Sequence, residues 1–332
     1  MSQIIIIKEE NQGQRLDKFL TEVLTGQTRS QIKKMIIDGL ILVNSKPAKV
    51  HQFLKVNDKI TIAFPSPSLK EGEAGGGGHL PTSPRGKRGE SPKIIFEDND
   101  FLVLEKPAGL LVHQTEKGET NTLVNWLLEK YPQIKNVGEE RYREGIIHRL
   151  DRDVSGIMAV AKNNEAYYHL KEQFKNRLVK KEYLALVYGH LSQHEGTIEL
   201  PIGRNKDGQF VAHPRQGKDK FQDRDKVAKT NYKVLEYIKD YTLLSVQILT
   251  GRTHQIRAHL FAIGRPILGD LIYKPKKKFL HLFQRKIKVI DLKRIFLHST
   301  KLGFNNLKNE WVEFSSPLPK ELTDFINVQK TK

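Results

Sequence analysis

Cysteine is absent from this 332-residue chain, and Trp and Met are scarce, at two and three. Without a thiol there is no disulfide framework, no thiolate zinc site, no iron–sulfur cluster and no Cys nucleophile. No apolar run approaches the roughly 20 residues that cross a bilayer. The greasy opening from Met1 to Lys8 is too short for a signal peptide and fits a first strand better. These absences point to a cytoplasmic protein with no membrane partner. Acidic residues are also in short supply. Against 56 Lys and Arg stand 38 Asp and Glu, a formal charge of +18. A surplus of that size draws in polyanions at long range, and nucleic acid fits it better than lipid.

The length suggests two domains, and one shift in composition shows where they part. Between Pro65 and Lys93 there are seven Gly and five Pro in 29 residues, including Gly75 to Gly78 in a row. A Gly run loses so much conformational entropy on ordering that it makes a tether rather than a fold. Residues 1–64 are therefore expected to form a small domain, 65–93 a flexible linker and 94–332 a large domain. Their charges are +4, +2 and +12, so both folded parts are basic.

In the small part, Leu16, Phe19, Leu20, Val23 and Leu24 form a helical apolar stripe over Arg15 to Leu24. Thr28 is placed to cap a second helix, Arg29 to Asp38, with Gly39 at its C-terminal end. Short strands fit Leu40–Val43 and Lys59–Ala63. The polar side of the helix pair gathers Arg15, Lys18, Arg29, Lys33 and Lys34, either a solvated face or a grip on RNA. In the large part, strands are expected at 94–96, 101–105, 156–161, 182–188, 230–236 and 243–249. Helices are expected at 122–130, 164–175 and 253–261. Long β runs with few helices between them predict an α+β fold: a helix-pair and short-strand domain, then a mixed, mainly antiparallel sheet with flanking helices.

Four segments carry candidate chemistry. His148-Arg149-Leu150-Asp151-Arg152-Asp153-Val154-Ser155-Gly156 sets an Asp between two Arg, just before an apolar strand. An ionised carboxylate repels phosphate, so Asp151 in a basic chain is either a nucleophile or base, or one half of a structural ion pair. Gly251-Arg252-Thr253-His254-Gln255-Ile256-Arg257-Ala258-His259 puts Thr253 at a helix N-cap and Arg252 at a strand–helix junction, where ligand-facing groups collect. His254 and His259, five residues apart, fall on different helix faces, so no metal is expected. Lys180 to Gly189 reads as a strand with Tyr183 near its start, an aromatic suited to core packing or to stacking on a base. Lys106-Pro107-Ala108-Gly109-Leu110-Leu111-Val112-His113 reads as a rigid turn.

Together and in this order, the four segments resemble the motif set of the RluA/RluD-type pseudouridine synthases, over about residues 94–318. Residues 15–64 are similar to the small RNA-binding domain named after the fourth small-subunit ribosomal protein. The resemblance implies an isomerase. It detaches uracil from its ribose, rotates the base and rejoins it through carbon 5, with no cofactor and no metal. The implied substrate is RNA, large-subunit rRNA first and tRNA as the alternative; a monomer is the default expectation for action on a large RNA. A non-catalytic RNA-binding or ribosome-assembly protein is the rival reading. By the resemblance Asp151 is the catalytic carboxylate, Tyr183 packs on the uracil and helps proton transfer at carbon 5, and Arg252 pairs with Asp151. Arg149 would fill the gap left by the flipped base, and His148, Ile256 and Arg257 would contact the substrate. Val154, Gln114, Leu271 and Ser299 depart from the usual pattern, and none is expected to touch the active-site residues. Lys274–Arg294, with nine Lys and Arg against one Asp, is read as a phosphate-contact strip.

Overall fold

In this computed structural model, residues 2–24, 32, 35–37, 39–49, 52–63, 89–115, 118–140, 142–205, 207–213, 225–274 and 292–331 are described. The chain divides into two units, 1–80 and 81–332. The cations Arg29, Lys33 and Lys34, nearly all of the Gly/Pro-rich stretch and most of the basic strip at 274–294 lie outside the described residues.

In the first unit, β1 (Ser2–Ile6), β2 (Ile41–Val43), β3 (Lys46–Pro47) and β4 (Lys59–Ala63) form an antiparallel sheet in the order β1-β4-β2-β3. Asn44 and Ser45, both in the left-handed region, make the tight turn between β2 and β3. The Asn44 side chain secures it by donating to Asp58 and accepting from the Lys59 N–H. Helix α1 (Leu16–Val23) lays Leu16, Phe19 and Leu20 on the sheet, and Ile32 and Ile36 join them in the core. On the polar side Lys18 is exposed, while Arg15 is drawn onto the buried Asp17 at 3.0 Å.

The second unit is built on β5 (Lys93–Glu97), β6 (Phe101–Lys106), β7 (Ser155–Ala161), β8 (Lys180–Tyr188), β9 (Glu195–Ile198), β12 (Thr230–Ile238), β13 (Tyr241–Ile248), β14 (Leu297–Asn305) and β15 (Trp311–Ser315). They form one nine-stranded sheet in the order β5-β6-β7-β14-β8-β13-β12-β9, with β15 added to β14. Every pairing is antiparallel except β7 with β14. A separate hairpin joins β10 (Ile202–Arg204) to β11 (Phe210–Ala212). The helices are α2 (Leu123–Lys130), α3 (Asn164–Lys175), α4 (Gln255–Ala262) and α5 (Lys320–Thr331). Thr122 and Asn163 cap α2 and α3, each accepting a backbone N–H from three residues on.

All seven residues of β7 are buried. Met158 and Val160 face the larger core with Trp126 and Leu127, and Ile157 and Ala159 face a smaller one with Leu170 and Phe304. A strand covered on both faces reads as a continuous apolar run. Gly156 sits where β7 meets β14, with φ +125°; a Cβ there would lie 2.2 Å from the Ser299 carbonyl oxygen. Only glycine allows that approach, and it fixes the segment just before β7, where Asp151 lies.

Candidate active site

Three stretches converge on one cavity of about 90 Å³. Arg149, Leu150, Asp151 and Val154 come from the approach to β7, and Tyr183 comes from β8. The third wall is the loop Gly251–His254 with the first turn of α4, including Ile256 and Arg257. Asp151 keeps 19% of its side chain exposed and accepts from the Arg257 Nη1 at 3.0 Å. His254 Nε2 stands 3.9 Å from the same carboxylate oxygen.

Arg257 is itself buried, and its other nitrogens grip Asp270 in a two-pronged bond, Nε to Oδ2 at 2.7 Å and Nη2 to Oδ1 at 2.9 Å. One guanidinium thus serves two carboxylates and lies 5.2 Å over the Tyr273 ring. Burial alone would lower the Arg257 pKa, but Asp270 and Asp151 raise it, so the group stays charged. For Asp270 burial would raise the pKa. The Arg257 bonds and the backbone N–H groups of Ile272 and Tyr273 bring it below the ordinary carboxylate range. Behind it, Gly269 at φ +74° passes the backbone against the Arg294 carbonyl, where a Cβ would lie at 1.9 Å.

Tyr183 is buried, and burial lifts its phenol well above the usual range. Ser299, its cross-strand neighbour, works against that lift, and Asp151 adds to it. Tyr183 is therefore a protonated, apolar-faced wall. The cavity combines a partly open carboxylate, a fixed cation behind it, an aromatic ring and the apolar Ile256. That set suits a planar, neutral ring held against the aromatic and apolar walls beside a carboxylate.

Residues 100–262 match the RNA pseudouridylate synthase family, and residues 14–60 match the S4 domain. YlyB of Bacillus subtilis (strain 168), described as an uncharacterized RNA pseudouridine synthase, is 36% identical over 99% of both chains. The chain belongs to the RNA pseudouridine synthases. It is also 33% identical to the ribosomal large subunit pseudouridine synthase D of Escherichia coli (strain K12), over 98% of this chain and 93% of that one. Among solved structures, human RNA Pseudouridylate Synthase Domain Containing 1 superposes with a TM-score of 0.53 at 27% identity, covering 76% of this chain and 98% of that one.

The synthase departs from the sequence-based expectation at several residues. Arg252 does not pair with Asp151: its Nε donates to the Val227 carbonyl at 3.2 Å, and Arg257 makes the ion pair instead. The reason is where α4 begins. Thr253 is not its cap; His254 is, in a left-handed conformation at φ +56°, and the helix starts at Gln255. No side chain among the described residues caps the helix; the Gln255 side chain instead ties the loop before it to β12, accepting from the Arg252 N–H and the Thr250 hydroxyl and donating to the Lys229 carbonyl and the Thr230 hydroxyl. His148 does not reach the cavity either. Its ring stacks on Phe174 of α3 at 4.7 Å and accepts from the Ala159 N–H, and burial with Lys181 nearby pushes its pKa down to about 3. The backbone bends at 147–148, so His148 turns into the packing under α3 while Arg149, Leu150 and Asp151 line the cavity. Two of the departing positions do meet the site: Val154 lines the cavity, and Ser299 lies against Tyr183.

Two groups had no sequence signal beyond the Lys-Pro-Ala-Gly turn. Lys106 is fully buried and donates to the carbonyls of Pro107, Leu110 and Arg152 at 2.9, 2.9 and 3.1 Å. The Gly109 N–H reaches the same Arg152 carbonyl at 2.7 Å, so the turn grips the backbone one residue after Asp151. Burial pushes the Lys106 pKa down to about 7, against the pull of Asp151 and Asp153. His113, at the end of that motif, stands 3.4 Å from Arg149 Nη1, and burial with Arg143 and Arg149 holds its pKa near 4. A neutral His113 can accept from Arg149 and steady its exposed guanidinium beside the cavity.

Proposed function

We propose that this synthase converts uridines of large-subunit ribosomal RNA to pseudouridine, with Asp151 as the group that acts on the sugar. The observation that carries the reading is the Asp151–Arg257–Asp270 chain at the wall of a cavity faced by Tyr183. It supports an ionised carboxylate where a sugar would sit, kept from repelling RNA by a cation that cannot turn away.

Two routes use that carboxylate. In the first, an oxygen of Asp151 bonds to the anomeric carbon as the glycosidic nitrogen leaves with its electron pair. The rotated uracil then attacks through carbon 5 and releases the carboxylate. In the second, Asp151 takes the 2′ proton while uracil leaves, and returns it after rejoining. Both end as carbon 5 gives up its proton to water and nitrogen 1, freed from the sugar, takes one. Tyr183 packs on the base, its phenol held protonated in the free enzyme by burial. The base must first leave its stack, at a cost of a few kcal/mol. Arg149, exposed and steadied by His113, is placed to fill the space it vacates. The domain at residues 14–60 supplies a second RNA-binding surface, with Lys18 on its exposed face. The protein works as a monomer in the cytoplasm, and Asp151 needs no metal or cofactor for either route.

The test is release of tritium from carbon 5 of labelled uridine. Wild type and Asp151→Ala would be compared on unmodified large-subunit rRNA and on bulk tRNA. Release from rRNA, abolished by the substitution, is the expected result. Release from tRNA alone would replace the substrate, and release by Asp151→Ala would remove Asp151 from the chemistry.

A further inference from the structure

A second cavity, of about 430 Å³, opens on the other side of the Gly251–Thr253 loop that walls the first. Its remaining lining is Ile202, Gly203, Arg204, Phe210 and Lys226, from the β10–β11 hairpin and the return segment after it. Ile202 and Lys226 face each other in an antiparallel bridge with both backbone hydrogen bonds at 2.9 Å. Opposite residues of such a bridge share a face, and Arg204, two residues beyond Ile202, shares it too. The backbone thus aims Arg204 and Lys226 into one space, with Arg252 across the shared wall.

The three cations are not in ion pairs among the described residues. The Arg204 guanidinium carbon lies 4.2 Å from the centre of the Phe210 ring, and its Nη1 donates to the Gly208 carbonyl at 2.6 Å. That holds one prong, and among the described residues no partner takes Nε or Nη2. Phe210 is tied to the catalytic cluster, since the Tyr273 hydroxyl donates to its carbonyl at 2.5 Å and lies 3.2 Å from His254 Nδ1. Three like charges around one opening repel one another, and a fixed guanidinium suits a planar pair of acceptor oxygens. An anion between them removes the repulsion.

We propose that Arg204, Lys226 and Arg252 form a phosphodiester subsite that holds the RNA backbone next to the nucleotide in the Asp151 cavity. This rests on the reading of that cavity as a uridine site, because the shared Gly251–Thr253 wall makes the two occupants chain neighbours. The subsite fixes the strand on one side of the target while the base turns.

The test uses the full chain and unmodified large-subunit rRNA transcribed in vitro, with binding measured against KCl concentration and turnover by tritium release. Removing one cation that neutralises a phosphate should lower the slope of log affinity against log salt by roughly 0.7 to 0.9. Arg204→Ala with Lys226→Ala is expected to lower the slope by about 1.5 and raise KM about tenfold at constant kcat. A control pair, Lys135→Ala with Lys308→Ala, removes equal charge from exposed positions elsewhere and is expected to leave the slope close to wild type. An unchanged slope in the first pair, or an equal change in both pairs, would overturn the subsite. Because the slope is read without catalysis, absence of tritium release from the wild type would remove the uridine reading by a separate measurement. Arg204→Lys, which keeps the charge but loses the planar fork, is expected to restore the slope and not the KM. Recovery of both would make the site a diffuse charge and overturn it as well.

Discussion

At the scale of single residues, the site turns on which arginine serves Asp151. Arg257 holds two carboxylates at once, so replacing it with Met leaves Asp270 buried and uncompensated. Breaking a buried pair in this way costs about 3–5 kcal/mol. We therefore expect Arg257→Met to lower the urea midpoint sharply and to abolish tritium release. Adding Asp270→Leu should recover most of the stability and none of the activity, because Asp151 still lacks its partner. Recovery of turnover in the double variant would show that Arg257 serves the fold alone. Asp151 and Tyr183 could be singled out from the sequence because each stands in a motif whose neighbours are unusual: an acid between arginines, an aromatic opening a strand. The pairing of Arg252 with Asp151 came from the resemblance, and the structure gives that ion pair to Arg257. The left-handed His254 shifts the helix start by two residues, and that depends on what the Gln255 side chain finds in space. His148 failed because its ring is claimed by Phe174 and the Ala159 N–H, tertiary partners that the motif does not reveal.

Among the elements, those with strong periodicity were found with little error. Helix α3 spans the expected 164–175, and β7, β8, β12 and β13 differ from expectation by one or two residues at their ends. The β10–β11 hairpin, β14, β15 and α5 were not anticipated. Strand β14 mixes His298, Ser299, Thr300 and Lys301 into its apolar residues, because its polar groups are satisfied by tertiary partners such as Ser155 and Ser316. Helix α5 buries only Leu322 and Ile326, too sparse a stripe to stand out. The Lys-Pro-Ala-Gly turn was readable as a turn but not as a clamp, since the Arg152 carbonyl it holds is 46 residues away. Lys106→Met keeps the apolar stem and removes the three bonds. Leaving buried carbonyls without a donor costs about 1–3 kcal/mol each, less at Arg152, where the Gly109 N–H remains. The expected outcome is a lower urea midpoint with a fall in kcat larger than any rise in KM, as Asp151 loses its aim. A variant that loses stability but keeps kcat in single-turnover measurements would confine Lys106 to a structural role.

For the whole molecule, the +18 charge favours RNA but does not decide how the fold responds to acid; the buried histidines do. His298 is fully buried, with Nδ1 2.8 Å from the Ser155 hydroxyl, which also accepts from Arg294 Nη2 at 2.6 Å. Burial pushes its pKa down to about 4, the Ser316 carbonyl working against the shift and Arg294 with it. His113 near 4 and His148 near 3 lie in the same direction. In the unfolded chain each takes up a proton near pH 6.5, and in the folded chain none does until about pH 4 or below. Between those values the unfolded state binds more protons, so the stability these histidines supply is full above pH 6.5 and falls as pH drops toward 4. For His298 alone the loss over that window is on the order of 3 kcal/mol. The Arg257–Asp270 pair acts at lower pH, through the depressed carboxylate, so the two effects separate. Urea midpoints at pH 7, 5.5 and 4.5 should fall steadily for the wild type. For His298→Gln they should start lower, because the hydrogen bonds are poorer, and fall less steeply, by up to one proton's worth of slope. Parallel lines for the two proteins would mean that His298 takes up its proton in the folded state, and that the Ser155–Arg294 network makes room for the charge.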